Sequence, residues 1–190
     1  MKIYRAEIPD IIICQPTLHR DERGYFAETF RKNLLDDFLE HDVNFIQDNE
    51  AYSTFGVLRG LHYQLAPFAQ SKLVRVVAGK VLDVAVDIRR DSPTFGQYLA
   101  IELSSENQTQ LFIPKGFAHG YVVLSDEAVF TYKVDNPYMK SCERGLAFDD
   151  EEIGIDWRLP SEHLRLSEKD LLQPGLDEAD LFDYQMKLYA

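Results

Sequence analysis

From residue 11 to about residue 138, apolar residues recur at every second position in short runs, and Gly, Pro, Asn and Asp interrupt them. Period-two alternation sends successive side chains to opposite faces of a strand, so this stretch reads as an all-β sandwich or barrel. Residues 11–14 form a first strand, and residues 25–30 form another with Phe26, Glu28 and Phe30 on one face. Residues 71–77 and 80–88 flank Ala78-Gly79 and predict a hairpin. In its second arm Leu82, Val84, Val86 and Ile88 share one face, and Asp83, Ala85 and Asp87 take the other. Residues 89–93 read as a turn, residues 97–103, 110–113 and 121–124 as strands, and Ala128, Phe130, Tyr132 and Val134 alternate on one more.

The period changes twice. Leu34, Leu35, Phe38 and Leu39 stand at helical spacing within residues 33–41, with Asn33 as N-cap. After Pro137 the strands give way to an acidic run at residues 149–152, a Trp157 that anchors an apolar patch, and Ser167-Glu168-Lys169-Asp170. The last pattern fits a capping box for a short helix. Residues 177–190 read as a tail packing on the domain or on a partner.

At 190 residues the chain suits one domain that needs no covalent staples. Its 20 basic and 32 acidic residues give a formal net charge of −12, which argues against nucleic acid and anionic membranes as partners. An anionic small molecule is still open to it, because a few cations make a local positive pocket. Cys14 and Cys142 match no zinc or redox spacing. The amino-terminal residues carry no apolar run of signal-peptide type, and no segment approaches membrane-spanning length, so the expected compartment is the cytoplasm.

Candidate chemistry concentrates in Val57-Leu58-Arg59-Gly60-Leu61-His62-Tyr63-Gln64. On a strand, His62 and Gln64 share a face while Leu61 and Tyr63 share the other. Arg59 has the parity opposite to His62, and the two face one cavity only if the chain bends, which Gly60 permits. A histidine on such a face serves proton transfer or metal ligation, or is a hydrogen-bonded core residue. Gln47 and Asn49 share parity, and their amides suit a base or sugar edge as well as loop hydrogen bonds. Tyr132, on an apolar face, reads as a packed tyrosine with its hydroxyl at the rim.

His62, Gln64 and the second histidine, in Pro114-x-Gly116-x-x-His119, are similar to the two metal motifs of cupin barrels. Gln64 and Lys72 stand where further ligands belong, and two imidazoles, an amide and nearby cations make a poor divalent-metal site.

A series of segments runs in order along the chain: Arg23-Gly24-Tyr25-Phe26-x-Glu28, Gln47-x-Asn49, Leu58-Arg59-Gly60-Leu61-His62-Tyr63-Gln64 and Gln70-x-Lys72-Leu73-Val74. It continues through Asp83-Val84-x-Val86-Asp87-x-Arg89, Pro114-x-Gly116-Phe117-Ala118-His119-Gly120, Tyr132-Lys133, Glu143-Arg144-Gly145 and Ser167-x-Lys169-Asp170. In these segments the whole chain resembles the dTDP-4-dehydrorhamnose 3,5-epimerase family.

The resemblance implies one cupin-like jelly roll over residues 1–190 with a few short peripheral helices, a homodimer, and no metal or organic cofactor. It implies inversion of C3 and C5, or of one of them alone, in a dTDP-linked 4-keto-6-deoxyhexose. By the same resemblance His62 is the base, Tyr132 the opposing acid, and Lys72 the cation at the developing enolate. Asp170 orients His62, with Asp83 the alternative from the residues alone. Arg23 and Arg59 contact the diphosphate, and Glu28, Gln47 and Asn49 the nucleotide and its surroundings. His119, Glu143 and Lys169 fall at ligand-binding positions. Phe68 and Glu151 depart from the family pattern outside the catalytic set.

Overall fold

The computed structural model describes residues 1–189. In chain order the first elements are β1 (Lys2–Arg5), β2 (Ile12–Gln15), β3 (His19–Asp21), β4 (Gly24–Phe26), helix α1 (Lys32–Leu39), β5 (Gln47–Thr54), β6 (Leu58–Gln64) and β7 (Lys72–Ala78). Then come β8 (Lys80–Asp87), β9 (Arg89–Arg90), β10 (Tyr98–Ser104), β11 (Gln110–Ile113), β12 (Phe117–Val123), β13 (Glu127–Val134), β14 (Glu143–Gly145) and β15 (Phe182–Asp183). Short 3₁₀ turns cover Ser161–His163 and Asp170–Leu172.

A six-stranded sheet in the order β1-β2-β11-β7-β13-β5 faces a five-stranded sheet in the order β10-β8-β12-β6-β14. Pairing within both is antiparallel. The space between them is filled by Ile13, Val74, Val76, Val81, Ala85, Leu111, Phe117 and Phe130, drawn from both sheets. This is an all-β, cupin-like jelly roll.

Each sheet is also covered outside. Leu82, Val84, Val86 and Ile88 face Trp157, Leu176 and Phe182 of the C-terminal segment, while α1 lays Leu35 over Ile12, Leu73 and Phe112. The face division expected for β8 is therefore observed, and the strand is buried on both sides, as befits the centre of a sandwich. The tail packs on its own barrel: Phe182 is buried and β15 pairs in parallel with β9. Residues 89–93, expected as a turn, thus begin with a short strand.

Three other expectations are corrected. Strands β7 and β8 are not a hairpin: β7 pairs with β11 and β13, and β8 with β10 and β12, in the opposite sheet. Gly79, at φ +74, turns the corner between sheets. Two apolar strands around a tight turn look the same in sequence whether they pair with each other or each enters a different sheet. The strand expected at residues 25–30 ends at Phe26, a residue 71% exposed, so alternation there marks no buried face. Asn33 lies inside α1, and Arg31 occupies the N-cap without a capping side-chain bond. The Lys32–Asp36 ion pair spans the first turn instead.

One irregularity positions the site. Between β12 and β6, His119 aligns with His62 but Tyr121 aligns with Arg59, so β6 carries one residue more than its partner. The extra residue is accommodated at Gly60, whose φ is +126. The bulge reverses parity and brings both Arg59 and His62 to the same cavity. A Cβ at Gly60 would lie 2.5 Å from the Gly120 Cα and 2.7 Å from the His119 carbonyl oxygen. Gly60→Ala is therefore expected to lower stability by about 2–5 kcal/mol, combining backbone strain with overpacking. Denaturant unfolding checks this, and a wild-type midpoint would contradict it.

Candidate active site

A cavity of about 530 Å³ opens between the two sheets, and Arg59, His62, Lys72, His119, Tyr121, Tyr132, Lys169 and Asp170 line it. Strand β6 presents His62 and Arg59, β12 presents His119 and Tyr121, and all four come from the five-stranded sheet. Lys72 on β7 and Tyr132 on β13 come from the six-stranded sheet opposite. His62 and Tyr132 therefore stand on opposing walls.

Asp170 is the carboxylate that meets His62. Its Oδ1 lies 2.5 Å from His62 Nε2, and its Oδ2 accepts a hydrogen bond from Ser167 Oγ at 2.9 Å. The Asp170 N–H in turn donates to Ser167 Oγ at 3.2 Å. Only half of the expected capping box forms: Ser167 Oγ takes the Asp170 N–H, the carboxylate turns to His62 and the serine hydroxyl, and Lys169 is the N-cap of the 3₁₀ turn without a capping side-chain bond. Burial pushes the Asp170 carboxyl up, but hydrogen bonds from His62 and Ser167 and the charges of His62 and Lys169 outweigh it and hold it below the usual range. An ionised carboxylate only accepts, so the imidazole proton sits on Nε2 and Nδ1 carries the lone pair.

Asp83 has a different partner. It is fully buried, and its Oδ2 lies 2.9 Å from His119 Nε2. Burial keeps the His119 imidazole below its ordinary pKa, so it is neutral near pH 7. The Lys72 ammonium is pushed down to about 8, chiefly by burial, with the Asp83 charge acting the other way. Among the described residues the amine of Lys72 has no hydrogen-bond or ion-pair partner. Burial raises the Tyr132 phenol, although Arg59 opposes the shift, so Tyr132 keeps its proton at neutral pH. Arg59 itself donates from Nε to Ser53 Oγ at 3.0 Å.

The constellation joins an imidazole with an oriented proton, a neutral phenol and an unpaired cation in one sheltered space. That set can remove a proton from carbon, stabilise the resulting anion and return a proton from the other side. The model of the dTDP-4-dehydrorhamnose 3,5-epimerase family matches residues 5–178.

The chain belongs to that family.

A dTDP-4-dehydrorhamnose 3,5-epimerase from Shigella flexneri is 51% identical over 182 residues, 96% of this chain and 99% of the relative. A dTDP-6-deoxy-D-glucose-3,5-epimerase from Legionella pneumophila, solved with dTDP-4-keto-L-rhamnose, is 44% identical with a TM-score of 0.92, covering 97% of this chain and 99% of that one. A 3′-monoepimerase from Streptomyces bikiniensis, solved with dTDP-quinovose, is 31% identical with a TM-score of 0.85, covering 92% and 87%.

The remaining residues singled out by the family resemblance are dispersed. Glu143 pairs with Lys169 at 2.5 Å and accepts from the Tyr138 hydroxyl at 2.9 Å. Asn49 lines a second cavity of about 350 Å³ that shares Tyr132 with the first, and its Oδ1 accepts from Gln47 Nε2 at 2.8 Å. Gln47 lines neither of these two cavities. Arg23 sits in the exposed β3–β4 hairpin, paired with Asp21 at 2.6 Å, and Glu28 pairs with Arg31 at 2.7 Å. Neither Arg23 nor Glu28 lines the His62 cavity.

Gln64 is spent on loop backbone: it donates to the Phe68 and Pro137 carbonyls and accepts from Met139 N–H. Three polar lining residues, Tyr121, Arg165 and Ser167, were given no role by the sequence reading. Tyr121 has the same parity as His119 on β12, a usable signal, and its ring stacks on Phe130 at 4.1 Å. Ser167 stood in the capping pattern and in a family segment with no site role of its own, and Arg165 stood in neither.

Lys72 yields a prediction with opposed effects. Its folded pKa of about 8 lies below the ordinary 10.5, so the unfolded chain binds the extra proton across that window. Stability from this group therefore rises with pH between the two values, and the charged amine is a liability below them. Lys72→Met is expected to raise the melting temperature at pH 7 while lowering turnover by about 10²–10³. Calorimetry with initial-rate kinetics checks both signs, and wild-type turnover would remove Lys72 from the machinery.

Proposed function

We propose that this chain is the epimerase that converts dTDP-4-dehydro-6-deoxy-D-glucose to dTDP-4-dehydro-L-rhamnose by inverting C3 and C5, within nucleotide-deoxysugar biosynthesis. The carrying observation is the base and the acid on opposing sheets across one cavity. A proton next to a ketone is too weakly acidic to leave unaided at neutral pH, and imidazole is the side chain suited to take it. His62 Nδ1 removes the proton from the carbon beside C4, and the bonding pair moves into the ring to give an enolate with its charge on the C4 oxygen. The Asp170 carboxylate stabilises the imidazolium so formed. Lys72 holds the charge on the oxygen, and Tyr132 delivers its phenolic proton to the opposite face of the carbon. Proton exchange with solvent resets both groups.

These groups complete the transfers, so no metal or organic cofactor is assigned a step. Arg59, His119, Lys169 and Glu143 bind and orient the sugar nucleotide, with Gln47 and Asn49 beside the adjoining cavity. The chain works as one jelly-roll domain over residues 1–190. No helix among the described residues is long and apolar enough to cross a membrane, and both cysteines are free, which supports the cytoplasm as its compartment.

The same groups serve inversion at a single carbon, and the similarity to the monoepimerase gives that reading a definite basis. The higher identity to the 3,5-epimerases favours two centres. Deuterium separates the readings, because each inverted carbon acquires a solvent label. In D₂O the wild-type protein should label C3 and C5, and label at one carbon alone selects the monoepimerase. Under the same conditions His62→Ala should neither exchange nor invert. Tyr132→Phe should take up deuterium with retained configuration while inversion slows by roughly 10²–10⁴. Inversion by Tyr132→Phe at the wild-type rate would make Tyr132 a packing residue.

The working unit is a homodimer. Among the described residues the outer edge of β5 has no strand beside it, and the β3–β4 hairpin displays Tyr25 and Phe26. Unpaired edges and exposed aromatics suit a second copy. A second copy would also give Arg23 and Glu28 a cavity to reach. Arg23→Ala and His62→Ala chains, each inactive alone, should regain activity when mixed and refolded together, because mixed dimers hold one intact site. No recovery, or a monomer in sedimentation, would refute shared sites.

A further inference from the structure

We infer that the C-terminal segment, through the Tyr189 hydroxyl, positions Lys72 for the reaction. This rests on the reading that Lys72 stabilises the enolate. The segment lies beyond the family match, which ends at residue 178. It is tied to the barrel at β15, where the Tyr184 N–H donates to the Arg90 carbonyl at 3.0 Å and the Arg89 guanidinium sits 5.2 Å from the Tyr184 ring centre.

At its far end the Tyr189 hydroxyl accepts from the Lys115 N–H at 2.9 Å and lies 2.8 Å from Ser71 Oγ. Either hydroxyl can be the donor in the Tyr189–Ser71 pair, and the bond ties the two residues together in both cases. Burial raises the Tyr189 phenol to about 12, so its proton is retained throughout the neutral range. Ser71 is fully buried, and its backbone N–H goes to a side chain, Asp135 Oδ1, at 2.6 Å, and not to a neighbouring strand. The other Asp135 oxygen takes the Lys115 ammonium at 3.2 Å. Tyr189, Ser71, Asp135 and Lys115 therefore form a closed ring of contacts.

That ring fixes the residue immediately before Lys72. Lys72 opens β7, aligned with Ile113 and Val134, and successive residues of a strand point opposite ways. Ser71 is held from behind while the Lys72 side chain enters the cavity. Because no hydrogen bond or ion pair among the described residues holds the amine, its place is set from the backbone end. Loosening Ser71 moves the cation relative to the ketone oxygen, and charge stabilisation depends steeply on such distances.

Tyr189→Phe in the full chain removes only the hydroxyl and keeps the ring against His41 and Lys115. We expect kcat to fall roughly tenfold with KM changed less than about twofold, since a misplacement near 1 Å costs up to about 10². Ser71→Ala should give a similar loss, and the double variant no more than either single one, as for residues acting through one contact. Acetylation of Lys72, followed by peptide mass spectrometry against Lys133 as internal reference, should proceed at an altered rate in Tyr189→Phe. Wild-type kcat and wild-type Lys72 acetylation in Tyr189→Phe, with only a lowered melting temperature, would make the segment a structural strap and overturn the inference. Should the wild-type protein fail to turn over the keto sugar, the proposed function falls. The acetylation comparison then decides positioning alone, an altered rate supporting it and an unchanged rate refuting it.

Discussion

The hydrogen bond between His62 and Asp170 joins residues 108 apart in the chain and ties the C-terminal segment to the mouth of the barrel. Its existence requires several other features. The segment must cross the outer face of the five-stranded sheet, where Trp157, Leu176 and Phe182 bury the apolar side of β8. Ser167 must hold the aspartate from the other side. The β6 bulge must set where Arg59 stands relative to His62, on the one wall they share. Burial of apolar surface supplies the free energy for that crossing, and the hydrogen bond itself supplies direction.

The same enclosure sorts the protonation states. Taking a group out of water disfavours its charged form, so burial lowers Lys72 and His119 and raises Tyr132. Asp170 runs against this trend because a histidine, a serine hydroxyl and Lys169 surround it. One cavity therefore holds an ionised carboxylate, a neutral phenol and a cation near its titration point. The unpaired amine is unfavourable for folding, a cost that the role proposed for Lys72 would explain.

Pairing and polarity divide the molecule differently from chain order. Adjacent strands β7 and β8 part into opposite sheets, and Lys72 and Asp83, eleven positions apart in sequence, meet electrostatically across the interior. On residue type alone Asp83 is as good a partner for His62 as Asp170 is. Its place directly opposite Tyr121 and beside His119 commits it to the second histidine.

The sequence by itself determined the strand content, the two faces of β8, the need for a bend at Gly60, and, through the motif resemblance, the family and its candidate residues. Those are local matters: side-chain parity, turn chemistry and residue type are written within a few positions of one another. Tertiary structure decided the sheet to which each strand belongs, which aspartate meets His62, and that Gln64 serves a loop. It also left Arg23 and Glu28 outside the His62 cavity of their own chain and brought the C-terminal tyrosine to Ser71. These depend on which distant surfaces bury each other. Burial is non-directional and gains nearly as much from several strand partners, so only the packing of the whole chain selects among them.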